Sequence, residues 1–475
     1  MTLNSAGEPA TIGEHAIVLG ASMAGLLAAR VLSDFYATVT VVERDTLDDT
    51  AAVRRGVPQG RHIHGLLMRG AQALEELLPG ILDDLVADGA AVFDGTDLSK
   101  LYFCMSGHVA VRTGAAKGLR AYNVTRPLLE GHVRRRVRAI QNVTFLDDHD
   151  AVDVLMAASG RVTGARLVGR SSQAESRIRA DLVVDATGRG GRTPALLKTA
   201  GYDPPAEDEV TIDLMYASQL LRMPGNALHE SGFIISPVPG RPTGMAILRC
   251  ENDTVFFTVF GMAGNDPPVE LSAMCAFAEE FTPARVLEAV RAAQPVGHVA
   301  QHRFPSSRWR RYDKARRFPE GLLVVGDAVC SFNPIYGQGM TVAALEAVAL
   351  HDCLSRGADD LARRFFRAAA RPIGQAWQLA VGGDLSLPEV DGTPPLATRL
   401  LNGYIDRVLI AAEYDTTVFE QFVKVAWLVD SPTRLLRPSI IRRAAVAHRR
   451  TRHRDQGVDT ATLAGLTGAV QRGLL

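Results

Sequence analysis

The sequence predicts an α/β protein: a parallel sheet with helices, an inserted antiparallel sheet and a helical C-terminal region. Three observations carry that expectation. Near the N-terminus, "HAIVLGASMAGLLAARVLSDFYATVTVVERD" runs from a short apolar stretch through a glycine turn and a helical spacing to a second apolar stretch. That is the pattern of a strand, a crossover helix and a parallel strand. The same grammar returns at "ADLVVDATGRGGRTPALL" (180–197) and "GLLVVGDAVCSFNPIYGQGMTVAALEAVALHDCL" (321–354). Between them, "GMAILRCENDTVFFTVFGM" places two β-rich stretches around a polar Glu-Asn-Asp turn, which reads as an antiparallel hairpin.

In the first unit, Ala16–Leu19 is the buried strand, Ala24–Leu32 the helix and Val39–Val42 the second strand, ending at Glu43. A tight turn here brings backbone N–H groups to a pyrophosphate at a helix N-terminus, and the acid accepts ribose hydroxyls. The unit therefore predicts dinucleotide binding. The glycine pattern is degenerate, Gly20-Ala21-Ser22-Met23-Ala24-Gly25, with Ser22 where the backbone comes nearest the phosphates. Serine is small, and its hydroxyl can donate to a phosphate oxygen. This motif alone does not separate NAD from FAD.

In the second unit, strand Leu182–Val184 runs into Asp185-Ala186-Thr187-Gly188, and a helix opens near Thr193. In the third, strand Leu322–Val325 ends at Gly326-Asp327, and a loop with Pro334, Gly337 and Gly339 opens a helix at Met340. Asp327 is placed to take a ribityl hydroxyl, and the Gly337–Gly339 backbone can lie against a flat ring system.

The three motifs in this order resemble the FAD-dependent monooxygenases of the para-hydroxybenzoate hydroxylase type, over roughly residues 15–380. The resemblance implies a discontinuous Rossmann-like FAD-binding domain at 1–75, 121–200 and 305–380, and a substrate-binding domain at 76–120 and 201–304. A helical region with a basic tail follows at 381–475. Arg54-Arg55-Gly56-Val57 matches the family's Arg-x-Gly-Val stretch, and "YNVTRPLLEGHVRRRV" its Arg-x-x-Leu segment, making Arg54 and Arg126 candidate FAD contacts. An arginine near a pyrophosphate binds it bidentately. The full candidate cofactor set is Gly20, Ser22, Met23, Ala24, Gly25, Glu43, Arg44, Arg54, Arg126, Val152, Gly188, Asp327, Pro334, Gly337, Gly339 and Met340. The strings "RRGVPQGRHIHGLL" and "FNPIYGQGM" are similar to the actinobacterial flavin epoxidases of polyether biosynthesis, the monensin and lasalocid type.

What the resemblance implies is a chemistry carried by the flavin. NAD(P)H or a separate flavin reductase supplies electrons, O₂ reacts at C4a, and one oxygen passes to an apolar substrate, a polyketide or isoprenoid alkene among the candidates. No side chain is assigned as catalytic. Alkene epoxidation needs no base to deprotonate the substrate, and hydroxylation stays open beside it. The nearest alternative is a flavin reductase of the geranylgeranyl-reductase sort, which shares the "DATG" and "GDA" strings. A non-catalytic FAD-binding protein is a further alternative. Flavin-dependent halogenases are related, but their Trp-x-Trp-x-Ile-Pro signature is missing, since Trp309, Trp377 and Trp427 stand apart.

His62 and His64, two apart in "GVPQGRHIHGLL", raise the question of a metal. Their neighbours are Arg61 and Arg69, with no carboxylate or cysteine nearby to complete a ligand set, so no metal site is expected. The loop is read as serving the flavin. Phe233, Phe256, Phe257 and Phe260 are candidates for an apolar cavity, with ordinary core as the alternative for each.

Composition narrows the remaining classes. A chain of 475 residues calls for two or three structural units, and 47% apolar with 22% charged residues is a globular profile. Lys+Arg and Asp+Glu both number 52, so no global field draws the chain to nucleic acid. Five cysteines without a CxxC pair argue for free thiols in a reducing compartment. No export signal and no run long enough to span a bilayer are visible, so a cytoplasmic location is expected. "PEVDGTPP" (388–395) reads as a linker, and the eight arginines of residues 434–454 as a solvated basic tail.

Overall fold

A computed structural model describes residues 11–48, 52–447 and 449 of the chain. The N-terminal leader and the end of the basic tail from Arg450 onward lie outside the described residues.

The parallel sheet has five strands in the order Leu322–Val324, Leu182–Asp185, Gly13–Leu19, Tyr36–Val42 and Val143–Leu146, every pair parallel. Its strands are apolar on both faces because both faces are covered. Ala16 and Val18 point to one side, where helices Met23–Leu32, Gly339–Leu354 and Leu361–Asp384 build the largest core. Ile17 and Leu19 point to the other, against Val162, Ala165 and Leu167. Those three come from an antiparallel sheet, Glu175–Arg179, Val162–Gly169 and His149–Met156, which the sequence reading left unassigned.

The second large sheet has eight strands, in the order Cys330–Ser331, Gln294–Arg310, Glu207–Arg222, Thr254–Gly261, Thr243–Arg249, Gly232–Ile235, Leu101–Met105 and His108–Val109. The expected hairpin forms its centre, with Ala246 opposite Thr258. Alternation assigns its faces. Val255, Phe257 and Val259 pack under helices Leu271–Phe277 and Ala284–Ala292 with Phe233 and Met245. Thr258 and Phe260, from the opposite face, line a cavity. Of the four candidate phenylalanines only Phe260 lines it. Phe233 and Phe257 are core at 1% and 0% exposure, and Phe256 is buried without reaching it.

Helices Leu396–Ala412 and Thr416–Ala426 close the far end. Val408, Phe419 and Val423 pack on Phe93, Leu98 and Phe103. The start of the 388–395 stretch is docked, with Val390 buried beside Leu387 and Glu389 Oε1 accepting the Gly240 N–H at 2.7 Å, while residues 391–395 are largely exposed. Of the basic tail, Arg443 lies in the described part and is paired with Asp415. All five cysteines are buried and unpaired. Among the described residues no helix is long and apolar enough to cross a membrane.

Candidate cofactor and substrate cavity

Three strands of the parallel sheet end at one edge, and the turns that follow them open onto one cavity of about 1760 Å³. Ligands of doubly wound sheets sit at this edge. In the first turn Gly20 takes φ +105° and its N–H donates to the Val42 carbonyl at 2.7 Å. A Cβ on Gly25 would overlap the Gly20 carbonyl oxygen, so only glycine lets the helix pack this closely on the strand. The helix begins at Met23 with no side-chain cap, and Ser22, Met23 and Ala24 line the cavity.

Glu43 is 6% exposed; its Oε2 accepts the Ala21 N–H at 2.7 Å and its Oε1 the Asp45 N–H at 3.1 Å. Beside it sits a charge cluster centred on a residue the sequence reading missed. Glu130, on helix Arg126–Arg138 and 3% exposed, accepts from Arg54 Nε at 3.0 Å, Arg126 Nε at 3.1 Å and Ser22 Oγ at 3.1 Å. Arg54 Nη2 also pairs with it closely and donates to the Ala21 carbonyl at 2.9 Å. Burial raises the Glu130 carboxyl, but the Arg126 and Arg54 guanidiniums outweigh it and hold the group below the ordinary range. A lone glutamate four residues after an arginine is the only signal the sequence offered, and it is a common helix pair.

The second turn brings Gly188 (φ +77°) and the third Gly326 and Asp327. A Cβ at Gly188, Gly337 or Gly339 would meet nothing within 4 Å, so bare backbone faces open space at all three. The Asp327 carboxylate lies open to the cavity with no protein hydrogen-bond partner among the described residues. Enclosure raises its carboxyl, against the opposing pull of Arg126 and Arg189. Of the sixteen candidate positions all but Gly25 and Arg54 line this cavity; those two stand behind its wall, supporting the first turn. An unpaired carboxylate, open glycine backbone and an uncapped helix start beside Arg126 together fit FAD.

Beyond these turns the cavity widens into a chamber walled by Phe103, Ile234, Leu248 and Phe260 from the sheet and by Ile405, Leu409 and Phe422 from the C-terminal helices. The share of those helices was not legible, because their apolar positions read as ordinary core. His62 and His64 both line the cavity. His62 Nδ1 hydrogen-bonds Ser218 Oγ at 2.9 Å, and His64 Nδ1 the His62 carbonyl at 2.9 Å. Burial pushes them down to about 3 and about 4. Among the described residues no cluster of three or more His, Cys, Asp or Glu is grouped to hold a metal.

Behind the third turn, Glu346 is 1% exposed. Its Oε2 accepts the Gly326 N–H at 2.6 Å, and its Oε1 has no hydrogen-bond partner among the described residues. Burial pushes its carboxyl up to about 8. The folded chain therefore holds a proton that the unfolded chain releases, and this group's contribution to stability is lost as pH rises from about 4.5 toward about 8. Urea unfolding across that window should show Glu346→Gln losing about one proton's worth of slope. An unchanged slope would show that Glu346 is ionised in the fold.

A model of the FAD binding domain family matches residues 59–215. Protein Rv3254 of Mycobacterium tuberculosis is 42% identical over 446 residues, 92% of this chain and 94% of its own length. Kynurenine 3-monooxygenase of Salinispora tropica is 29% identical over 383 residues, 76% of this chain and 77% of its own. Among solved structures, p-nitrophenol 4-monooxygenase from Pseudomonas putida DLL-E4 superposes with a TM-score of 0.62 at 15% identity, covering 87% of this chain and 97% of that one. That last likeness is one of fold. The chain belongs to the same family as Protein Rv3254, and its residues 59–215 carry the match to the FAD binding domain.

Proposed function

We propose that this protein is a FAD-dependent monooxygenase that inserts one oxygen atom from O₂ into a largely apolar substrate, by alkene epoxidation or by hydroxylation. The observation that carries this reading is the continuity of the cavity, from the three cofactor-side turns to the apolar chamber under the eight-stranded sheet. Bound FAD supplies the oxygen-activating chemistry, with electrons from NAD(P)H or a separate flavin reductase. In this reading Ser22, Met23, Ala24 and Arg126 hold the pyrophosphate and Glu43 the adenosine ribose. Asp327 takes a ribityl hydroxyl, and the Gly337–Gly339 backbone lies along the flat ring. The chamber walls orient the substrate and exclude water, which protects reactive oxygen species from wasteful decay. Kynurenine 3-monooxygenase among the relatives supports the same reaction class.

The test is isotopic. Turnover under ¹⁸O₂ is expected to give a product heavier by one labelled oxygen, and H₂¹⁸O no label in the initial product. Anaerobic turnover yielding a product heavier by two hydrogens would replace this reading with that of a double-bond reductase.

A further inference from the structure

One patch of the cavity wall is polar. Tyr216 on strand Glu207–Arg222 lies directly opposite His302 on one neighbouring strand and Phe260 on the other. Ser218, two residues on and so on the same face, is opposite Thr258. The His62 ring packs over this patch, 4.5 Å from the Tyr216 ring and 6.0 Å from His302. Its Nδ1 hydrogen-bonds Ser218 Oγ, which in turn hydrogen-bonds Thr258 Oγ1 at 2.7 Å.

Three groups remain. His62 Nε2, Tyr216 Oη and the His302 ring nitrogens have no hydrogen-bond partner among the described residues, and all three side chains line the cavity. His62 is 3% and Tyr216 7% exposed, so what little of them is open faces inward. Burial lowers both histidines and raises the Tyr216 phenol. Near neutral pH the phenol is therefore a donor, the His302 imidazole offers one donor and one acceptor, and His62 offers its Nε2. A wholly apolar occupant would strip these groups of water and return nothing, a penalty buried polar groups rarely carry.

We propose that Tyr216, His62 and His302 form the specificity site for a hydroxyl or carbonyl group borne by an otherwise apolar substrate. The proposal rests on the reading of this cavity as the substrate chamber of a FAD enzyme. It places the polar end of the substrate on the sheet wall and its apolar body among Phe103, Ile234 and Leu248. Such a site rejects an analogue lacking the polar group more strongly than an apolar pocket rejects a missing methylene.

The probes are 1-naphthol and naphthalene, titrated into FAD-loaded protein and followed by the change in flavin absorption. 1-Naphthol is expected to bind at least about tenfold more tightly than naphthalene. In Tyr216→Phe and in His302→Leu that ratio should fall toward one, through weaker naphthol binding with naphthalene binding retained. Retained FAD in each variant shows that it has folded, and two variants guard against the loss of either. Absence of naphthol binding, equal affinity for the two probes in the unmodified protein, or a ratio unmoved in both variants would overturn the proposal. A protein that takes up no FAD refutes the cofactor reading instead, before either probe is added.

Discussion

Replacing Glu130 by alanine is expected to cost about 3–5 kcal/mol of folding stability and to yield protein without bound flavin. The reason is what the carboxylate leaves behind. Arg54 and Arg126 are both below 10% exposed as side chains and both donate to Glu130. Removing it strands two buried guanidiniums and frees Ser22 Oγ, which now donates to it. Arg54 keeps the Ala21 carbonyl and the more distant Glu43 and Asp45, at 3.3 and 3.6 Å; among the described residues Arg126 keeps the Ser22 hydroxyl as its one hydrogen-bond partner, at 2.8 Å. The first turn is then pulled out of shape from its underside. Glu130→Gln, which preserves volume and two polar atoms, should fall between. Chemical denaturation and the visible flavin spectrum read the two effects separately. Glu130→Ala protein that stays yellow and within about 1 kcal/mol of the parent would show that the cluster is dispensable.

Gly25→Ala should abolish flavin retention and either prevent folding or leave a severely destabilised chain. The new methyl would collide with the Gly20 carbonyl oxygen, a backbone atom that cannot swing aside, and would press on Ala186 Cβ at 3.2 Å. Relief requires the helix to lift from the strand, opening a gap under Leu26, Leu27 and Ala29, all 0% exposed. A comparison with Gly339→Ala sharpens the result. Position 339 faces open space, so the methyl there should leave folding intact and tell only on cofactor uptake. If Gly25→Ala binds FAD with unchanged stoichiometry, the turn is not the close-packed element described.

Legibility followed the strength of local constraint. The parallel strands were readable because burial on both faces makes them continuously apolar, and their ends because glycine and acid mark them. Boundaries moved by a few residues, as at Gly13–Leu19 against an expected start at Ala16. Glu130 was invisible because its role arises from where Arg54 and Ser22 arrive in space, from about 76 and 108 residues away in sequence. The sheet of His149–Met156, Val162–Gly169 and Glu175–Arg179 escaped for a different reason. Its outer strand, Glu-Ser-Arg-Ile-Arg, is mostly exposed and polar, so it carries no hydrophobic alternation. The phenylalanines stayed ambiguous between cavity and core in the sequence because Phe256 and Phe257 are adjacent, and period two sends neighbours to opposite faces whatever their chemistry.

The strand order of the parallel sheet also sets a schedule. Gly13–Leu19 is made well before one of its neighbours, Leu182–Asp185, and the sheet is finished only by Leu322–Val324. A nascent chain released before residue 322 carries a complete first glycine turn with no third turn to close over a ligand. Long-range pairing of this kind slows folding, since loop closure is opposed by chain entropy before contacts reward it. Bound as proposed, the cofactor would act as a late staple: it would touch turns from three distant parts of the polypeptide, and its free concentration should set how much of the newly made chain survives to maturity. Cells starved of riboflavin would accumulate this protein as a protease-sensitive species, and the deficit should be reversible only while the chain remains intact.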